Sequence, residues 1–125
     1  MSFCIAAGYD RSTGTERSLI ERWNGKAWTL MPAPNIGAGN NALESMACFR
    51  ASLCEGADSF QTSGAYQTVV LRWSGSGGWA VEISPRIGAQ GTNLFGATCV
   101  SAKLCVHVGE WQPATLPRTL VVQGR

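Results

Sequence analysis

Short apolar or partly alternating runs, separated by clusters of Gly, Pro, Asn and Ser, set the pattern of this chain. No longer segment carries a helical apolar period. The runs predict strands at 2–8, 18–23, 28–31, 43–48, 53–57, 67–73, 79–83, 94–99, 104–109 and 118–123. Asn24-Gly25, Phe49-Arg50-Ala51-Ser52 and Ser74–Gly78 read as turns. Pro32, Pro34, Asn35, Gly37 and Gly39 read as an irregular connection that ends pairing. Several strands, VVLRW and TLVV among them, are apolar on both sides, as expected where both faces of a sheet are covered.

The pattern repeats. Cys48 and Cys54 return as Cys99 and Cys105, 51 positions on, and Pro34 returns as Pro85 at the same shift. Trp23 and Trp73 are 50 apart, and Trp28 and Trp79 are 51 apart. Leu19, Val69 and Leu120 each follow Cys4, Cys54 and Cys105 by 15 positions. These landmarks share one register and divide the chain into a partial unit at 1–42, a complete unit at 43–93 and a partial unit at 94–125. Cys4 holds the second-Cys position of the first unit. Its partner position would precede Met1, so Met1 reads as an internal or chosen start within something longer. Each complete unit holds four short strands able to pair in sequence. The expected class is all-β, with antiparallel four-stranded repeats of about fifty residues stacked as about two and a half blades of a β-propeller. A β-sandwich or β-prism is the other architecture that such hairpins build. The order of strands at the two ends argues against simple ring closure, and open edge strands offer a route to self-association.

Composition narrows the function classes. Ten basic and eight acidic residues leave a net charge of +2, too little to argue for nucleic acid or an anionic membrane as partner. No apolar run is long enough for membrane insertion, and no signal peptide is visible. Fifteen Gly and five Trp suit many short strands joined by tight turns.

At ERWNGKAW (Glu21–Trp28), PAPN (Pro32–Asn35) and ATCVSAKLC (Ala97–Cys105) the chain resembles the tandem repeats of uncharacterised secreted actinobacterial proteins. The resemblance covers nearly the whole chain. It implies a propeller-like, kelch-like fold and export to a secreted or cell-surface location, with no established activity. The chain departs from the pattern where Asp58 replaces Gly8 and Gly109, where Arg86 replaces Asn35, and where Gly124 replaces Trp23 and Trp73. The last reads as a decayed or terminal unit. A looser similarity is to small fucose-binding propeller lectins, through an Ile-x-Glu strand and a Trp-rich turn. Glu21 matches that pattern, whereas Leu71 stands at its repeat position.

Candidate chemistry is sparse. A Cys-x5-Cys hairpin can bring Cys48 to Cys54 and Cys99 to Cys105 across neighbouring strands, which favours disulfides and an oxidising compartment. Zinc held with His107 beside Cys105, or reduced buried thiols, are the alternatives. Trp23 and Trp73 are expected between blades. Trp28 and Trp79 open the strand after the turn, as core residues or as an exposed platform for a sugar ring. Arg22 and Arg72 precede the turn Trp residues; each stacks on an aromatic ring, bonds a carboxylate such as Glu21 or Glu82, or lines a cleft. Asp10 and Asp58 read as loop residues that form turns or, less simply, bind Ca²⁺. There is one His, and no serine elbow, carboxylate pair or phosphate loop, so no catalytic residues or cofactor are expected.

The expected function is therefore a non-catalytic interaction or structural module that binds a protein or glycan. A sugar-binding propeller lectin using Trp28, Trp79, Glu21, Arg22 and Arg72 is the second reading. A fragment of a propeller-fold glycosidase-like enzyme is the third.

Overall fold

The computed structural model describes residues 2–84, 87 and 91–124. Met1, Pro85 and Arg86, on which three of the readings above fall, lie outside the described residues. Ten strands form: β1 (Cys4–Asp10), β2 (Arg17–Trp23), β3 (Trp28–Met31), β4 (Asn41–Arg50), β5 (Leu53–Thr62), β6 (Ala65–Trp73), β7 (Trp79–Ile83), β8 (Thr92–Ser101), β9 (Leu104–Trp111) and β10 (Arg118–Gly124). There is no helix among the described residues.

The strands make three antiparallel sheets. Sheet 1 has the order β1-β2-β3, sheet 2 the order β4-β5-β6-β7 and sheet 3 the order β10-β9-β8. Every pairing joins strands adjacent in sequence, and no sheet closes on itself. The register follows the repeat: Cys4 opposes Trp23, Cys54 opposes Trp73 and Cys105 opposes Gly124. Both first strands of the later units carry bulges at matching places, between Leu43 and Ser45 and between Leu94 and Gly96. A second matching bulge follows each Cys, at Cys48/Arg50 and Cys99/Ser101.

Turn chemistry sets the hairpins. Asn24 closes the β2–β3 turn by accepting from the amides of Lys26 and Ala27 at 2.9 and 3.0 Å. β5 corrects the sequence reading, which placed Asp58 in a loop. Ser63 and Gly64 both take positive φ, 50° and 84°, and make a two-residue turn. β5 and β6 therefore pair without interruption as far as Thr62 and Ala65.

Sheet 2 lies between the other two, because β5 and β6 are buried on both faces. Leu43, Phe60, Val69 and Leu71 pack with Ile20 of sheet 1. Ala57 and Val70, on the opposite face, pack with Leu94, Leu120 and Val122 of sheet 3. Each fully buried aliphatic side chain stabilises this stack by roughly 2 kcal/mol. The Pro-rich connection after β3 is tied in place by polar groups. Asn41 is fully buried; its Oδ1 accepts from the Ile36 amide at 2.6 Å and its Nδ2 donates to the Gly39 carbonyl at 2.9 Å. The Arg17 guanidinium donates to the carbonyls of Gly37, Ala38 and Gly39.

Candidate functional site

Both cysteine pairs are disulfides, Cys48–Cys54 and Cys99–Cys105, each joining directly opposed residues of a hairpin. Cys4 is free and half-buried. The sulfurs are thereby committed to the hairpins, and no metal-binding group of three or more His, Cys, Asp or Glu occurs among the described residues.

The five side chains put forward as ligand contacts do not converge. Trp23 and Trp28 pack in a tilted pair with ring centroids 5.7 Å apart, as do Trp73 and Trp79. The two pairs differ in surroundings. Trp28 is 46% exposed on the outside of sheet 1, whereas Trp79 is half-buried and packs against the core between sheets 1 and 2. The Arg22 guanidinium lies over the Phe3 ring at 5.5 Å. Arg72 instead donates to Glu55 Oε1 at 3.2 Å, across the β5–β6 pair. Glu21 is half-buried on β2 opposite Leu30, away from Arg72.

The densest chemistry of the molecule lies elsewhere, between sheets 2 and 3. Glu55 is fully buried on β5. One carboxylate oxygen takes Arg72, and the other lies 3.2 Å from Nε2 of His107, the only His in the chain, itself fully buried on β9. A carboxylate only accepts, so Nε2 carries the proton of this bond. His107 Nδ1 has no hydrogen-bond partner among the described residues. Gly124 completes the cluster by being small: a Cβ there would overlap the Glu55 carboxylate. The glycine that read as a decayed Trp position is the space into which Glu55 fits.

A second buried carboxyl faces the other way, between sheets 1 and 2. Asp58 is fully buried, and its Oδ2 accepts from the Ser18 hydroxyl at 2.6 Å. Its Oδ1 has no partner among the described residues. Burial without a cation pushes the Asp58 pKa up to about 6; the Ser18 hydroxyl and nearby Ala42 amide pull it down, and Glu44 repels it further. Asp58 is thus a mid-strand group sealed between sheets, not a turn former. Asp10 is exposed at the end of β1, and its carboxyl is held below the usual range by the Ser12 hydroxyl and amide. A third polar contact joins Thr68, Ser84 and Thr92 through their hydroxyls at 2.6 and 3.2 Å, again between sheets 2 and 3.

Two surface grooves are formed by described residues. One of about 510 Å³ is lined by the Ile36–Gly39 connection and the β5–β6 turn from Phe60 to Gly64, with no ionisable side chain. The other, about 340 Å³, runs between β1 and β4 and is lined by Phe3, Cys4, Ile5, Met46, Cys48 and Arg50.

Sequence reasoning missed Glu55, and weighed His107 only as a zinc ligand beside Cys105, because the two partners are 52 positions apart. The repeat register held the signal. Glu55 stands where Ile5 and Val106 stand, and His107 stands where Ala6 and Gly56 stand. Comparison with protein-family models, characterised proteins and solved structures returned no match.

Proposed function

We propose that this chain is a non-catalytic interaction or structural module, a propeller-type repeat segment that works at the cell surface or outside the cell. The observation that carries this reading is where the reactive side chains go. Glu55, His107 and Asp58 are each fully buried and turned on a neighbouring sheet, so they hold sheets together and line neither of the two grooves described above. Two intrachain disulfides are compatible with an oxidising compartment. The partners this module fits are proteins or glycans, with its open edge strands as a route to self-association. The proposal is tested by capturing surface-exposed binding partners with the oxidised chain and with a Glu55→Gln variant. A module whose buried acids serve structure alone keeps its binding once refolded. Hydrolytic turnover that disappears in Glu55→Gln while the fold persists would overturn it.

One observation favours a lectin as the second reading. Trp28 offers an exposed indole braced by Trp23, a geometry suited to the apolar face of a sugar ring. Glu21 and Arg22 lie on the paired strand. A glycan array that lights up with the wild-type chain and is silent with Trp28→Ala supports that reading, and a silent array with folded wild-type protein removes it.

A further inference from the structure

The two outer faces of the stack are the same kinds of surface that the chain already buries against itself. On the outside of sheet 3, Val106, Val108 and Val121 line up across β9 and β10, with Val108 and Val121 directly opposed. Val108 is 45% and Val121 61% exposed. In the repeat register these positions are Glu55, Ala57 and Val70, the face with which sheet 2 covers sheet 3. The outside of sheet 1 carries Ala6, Leu19, Trp23 and Trp28. Their register equivalents are Gly56, Val69, Trp73 and Trp79 on the face of sheet 2 that receives sheet 1, where Val69 and Trp79 belong to the core.

From this continuity we infer that the outer face of sheet 3 docks on the outer face of sheet 1 of a second copy of this chain. The contact extends the internal stack head to tail. Position-by-position matching supports this occupant. At one column, Ile5 is matched by Gly56 between sheets 1 and 2, and Glu55 is matched by His107 between sheets 2 and 3. The next pair in the series is Val106 with Ala6 of the second copy, large apolar against small apolar. At a second column, Ser18 meets Asp58, and Thr68 has Gly109 as its counterpart. The next pair is Thr119 with Gly8, which buries no carboxyl. At these two columns the contact between copies buries no charge; the acids that the two outer faces carry are Glu21, the equivalent of Leu71, and Glu110, the equivalent of Ser59. The contact uses sheet faces, not strand edges, and is heterologous: each copy offers two different surfaces, so association does not stop at a dimer.

Sedimentation velocity on the oxidised chain, over a wide concentration range, tests this. The wild type is expected to form a concentration-dependent series beyond the dimer. Val108→Lys on sheet 3, or Ala6→Lys on sheet 1, places a long charged side chain in the apolar contact and weakens association by at least about tenfold. Both side chains are exposed, so the monomer fold is kept; Val121→Lys and Leu19→Lys serve as second variants on each face. The decisive sample is an equimolar mixture of Val108→Lys and Ala6→Lys. One complementary pair of faces remains, so the mixture is expected to form a 1:1 complex that grows no further. A wild type that stays monomeric overturns the inference. So does association that survives both substitutions, which would point to strand edges. One substitution that abolishes association while the other leaves it intact would mean that a face pairs with its own kind, and a mixture that stays monomeric beside an associating wild type would mean that the two faces do not pair; either overturns it equally.

Discussion

Two contacts between sheets hold this molecule together, and they solve the same packing problem with different chemistry. Between sheets 1 and 2 the centre is apolar, built on Ile20, Leu43, Phe60, Val69 and Leu71, with one buried carboxyl at its side. Asp58 has a hydroxyl for a partner and no cation, so its proton is held more tightly than in water. Between sheets 2 and 3 the apolar cluster is joined by a carboxylate with a cation on one oxygen and an imidazole on the other. Glu55 thus has a basic side chain on each oxygen, whereas Asp58 meets only a hydroxyl, and keeping the proton lowers the cost of its burial. One strand, β5, carries both acids, because alternation sends Glu55 and Asp58 to opposite faces.

The sharpest way to break the comparison is to give the second contact the chemistry of the first. Glu55→Ile places the sheet 1 residue at this site, and leaves His107 buried without its acceptor and Arg72 without its anion. Removing one partner of a buried charged set costs about 3–5 kcal/mol, to be read from urea unfolding near neutral pH. His107→Ala, again a sheet 1 equivalent, removes the orphaned donor. The double variant is expected to lose less than the sum of the singles, with a coupling of about 1–3 kcal/mol. Strictly additive losses would mean that the two side chains merely sit side by side.

Asp58 supplies the next effect. Its pKa rises on folding from 3.8 to about 6, so the folded state binds the proton more tightly than the unfolded state. The sign follows: this stabilisation is complete below about pH 4, falls as pH rises to about 6, and stays lost above that. The two end points differ by about 3 kcal/mol at roughly 1.4 kcal/mol per pH unit. Asp58→Asn removes the titration. The stability of Asp58→Asn relative to the wild type should therefore climb between pH 4 and pH 6 and then level off. A difference that is constant across that range would show that the carboxyl is solvated or paired in solution.

The strands, their pairing and the disulfides were legible in the sequence because each depends on neighbours a few positions apart. A turn dipeptide, an alternating run or a Cys-x5-Cys spacing carries its own physical reason. The contacts between sheets were not legible in this way. Glu55 and His107 meet across two different sheets and 52 positions, and Ser18 meets Asp58 across 40 positions. The repeat register nevertheless marked them. Glu55, His107, Asp58 and Gly124 all depart from their equivalents, and all four lie in the contacts between sheets. Asp58 and Gly124 were noticed as departures, but a position that breaks a repeat reads as decay until its neighbour is known. For Gly124 that neighbour is the Glu55 carboxylate.

The smallest effect separates the two Trp-flanked turns, whose sequences look alike. Trp79 reaches the core between sheets 1 and 2, while its equivalent Trp28 faces outward, with no sheet packed on it among the described residues. Trp79→Ala should cost roughly 2 kcal/mol, below the value for a fully buried Trp because only part of the ring is covered. Trp28→Ala should cost about 0.5 kcal/mol or less in the monomer, as expected of exposed positions. Thermal unfolding of dilute samples reads both. Raising the protein concentration then adds information. If sheet 1 is covered by sheet 3 of another copy, the cost of Trp28→Ala grows with concentration while that of Trp79→Ala does not, since one ring is buried by association and the other by folding. Equal and concentration-independent costs would mean that the two turns are alike in solution and that the outer face of sheet 1 stays open.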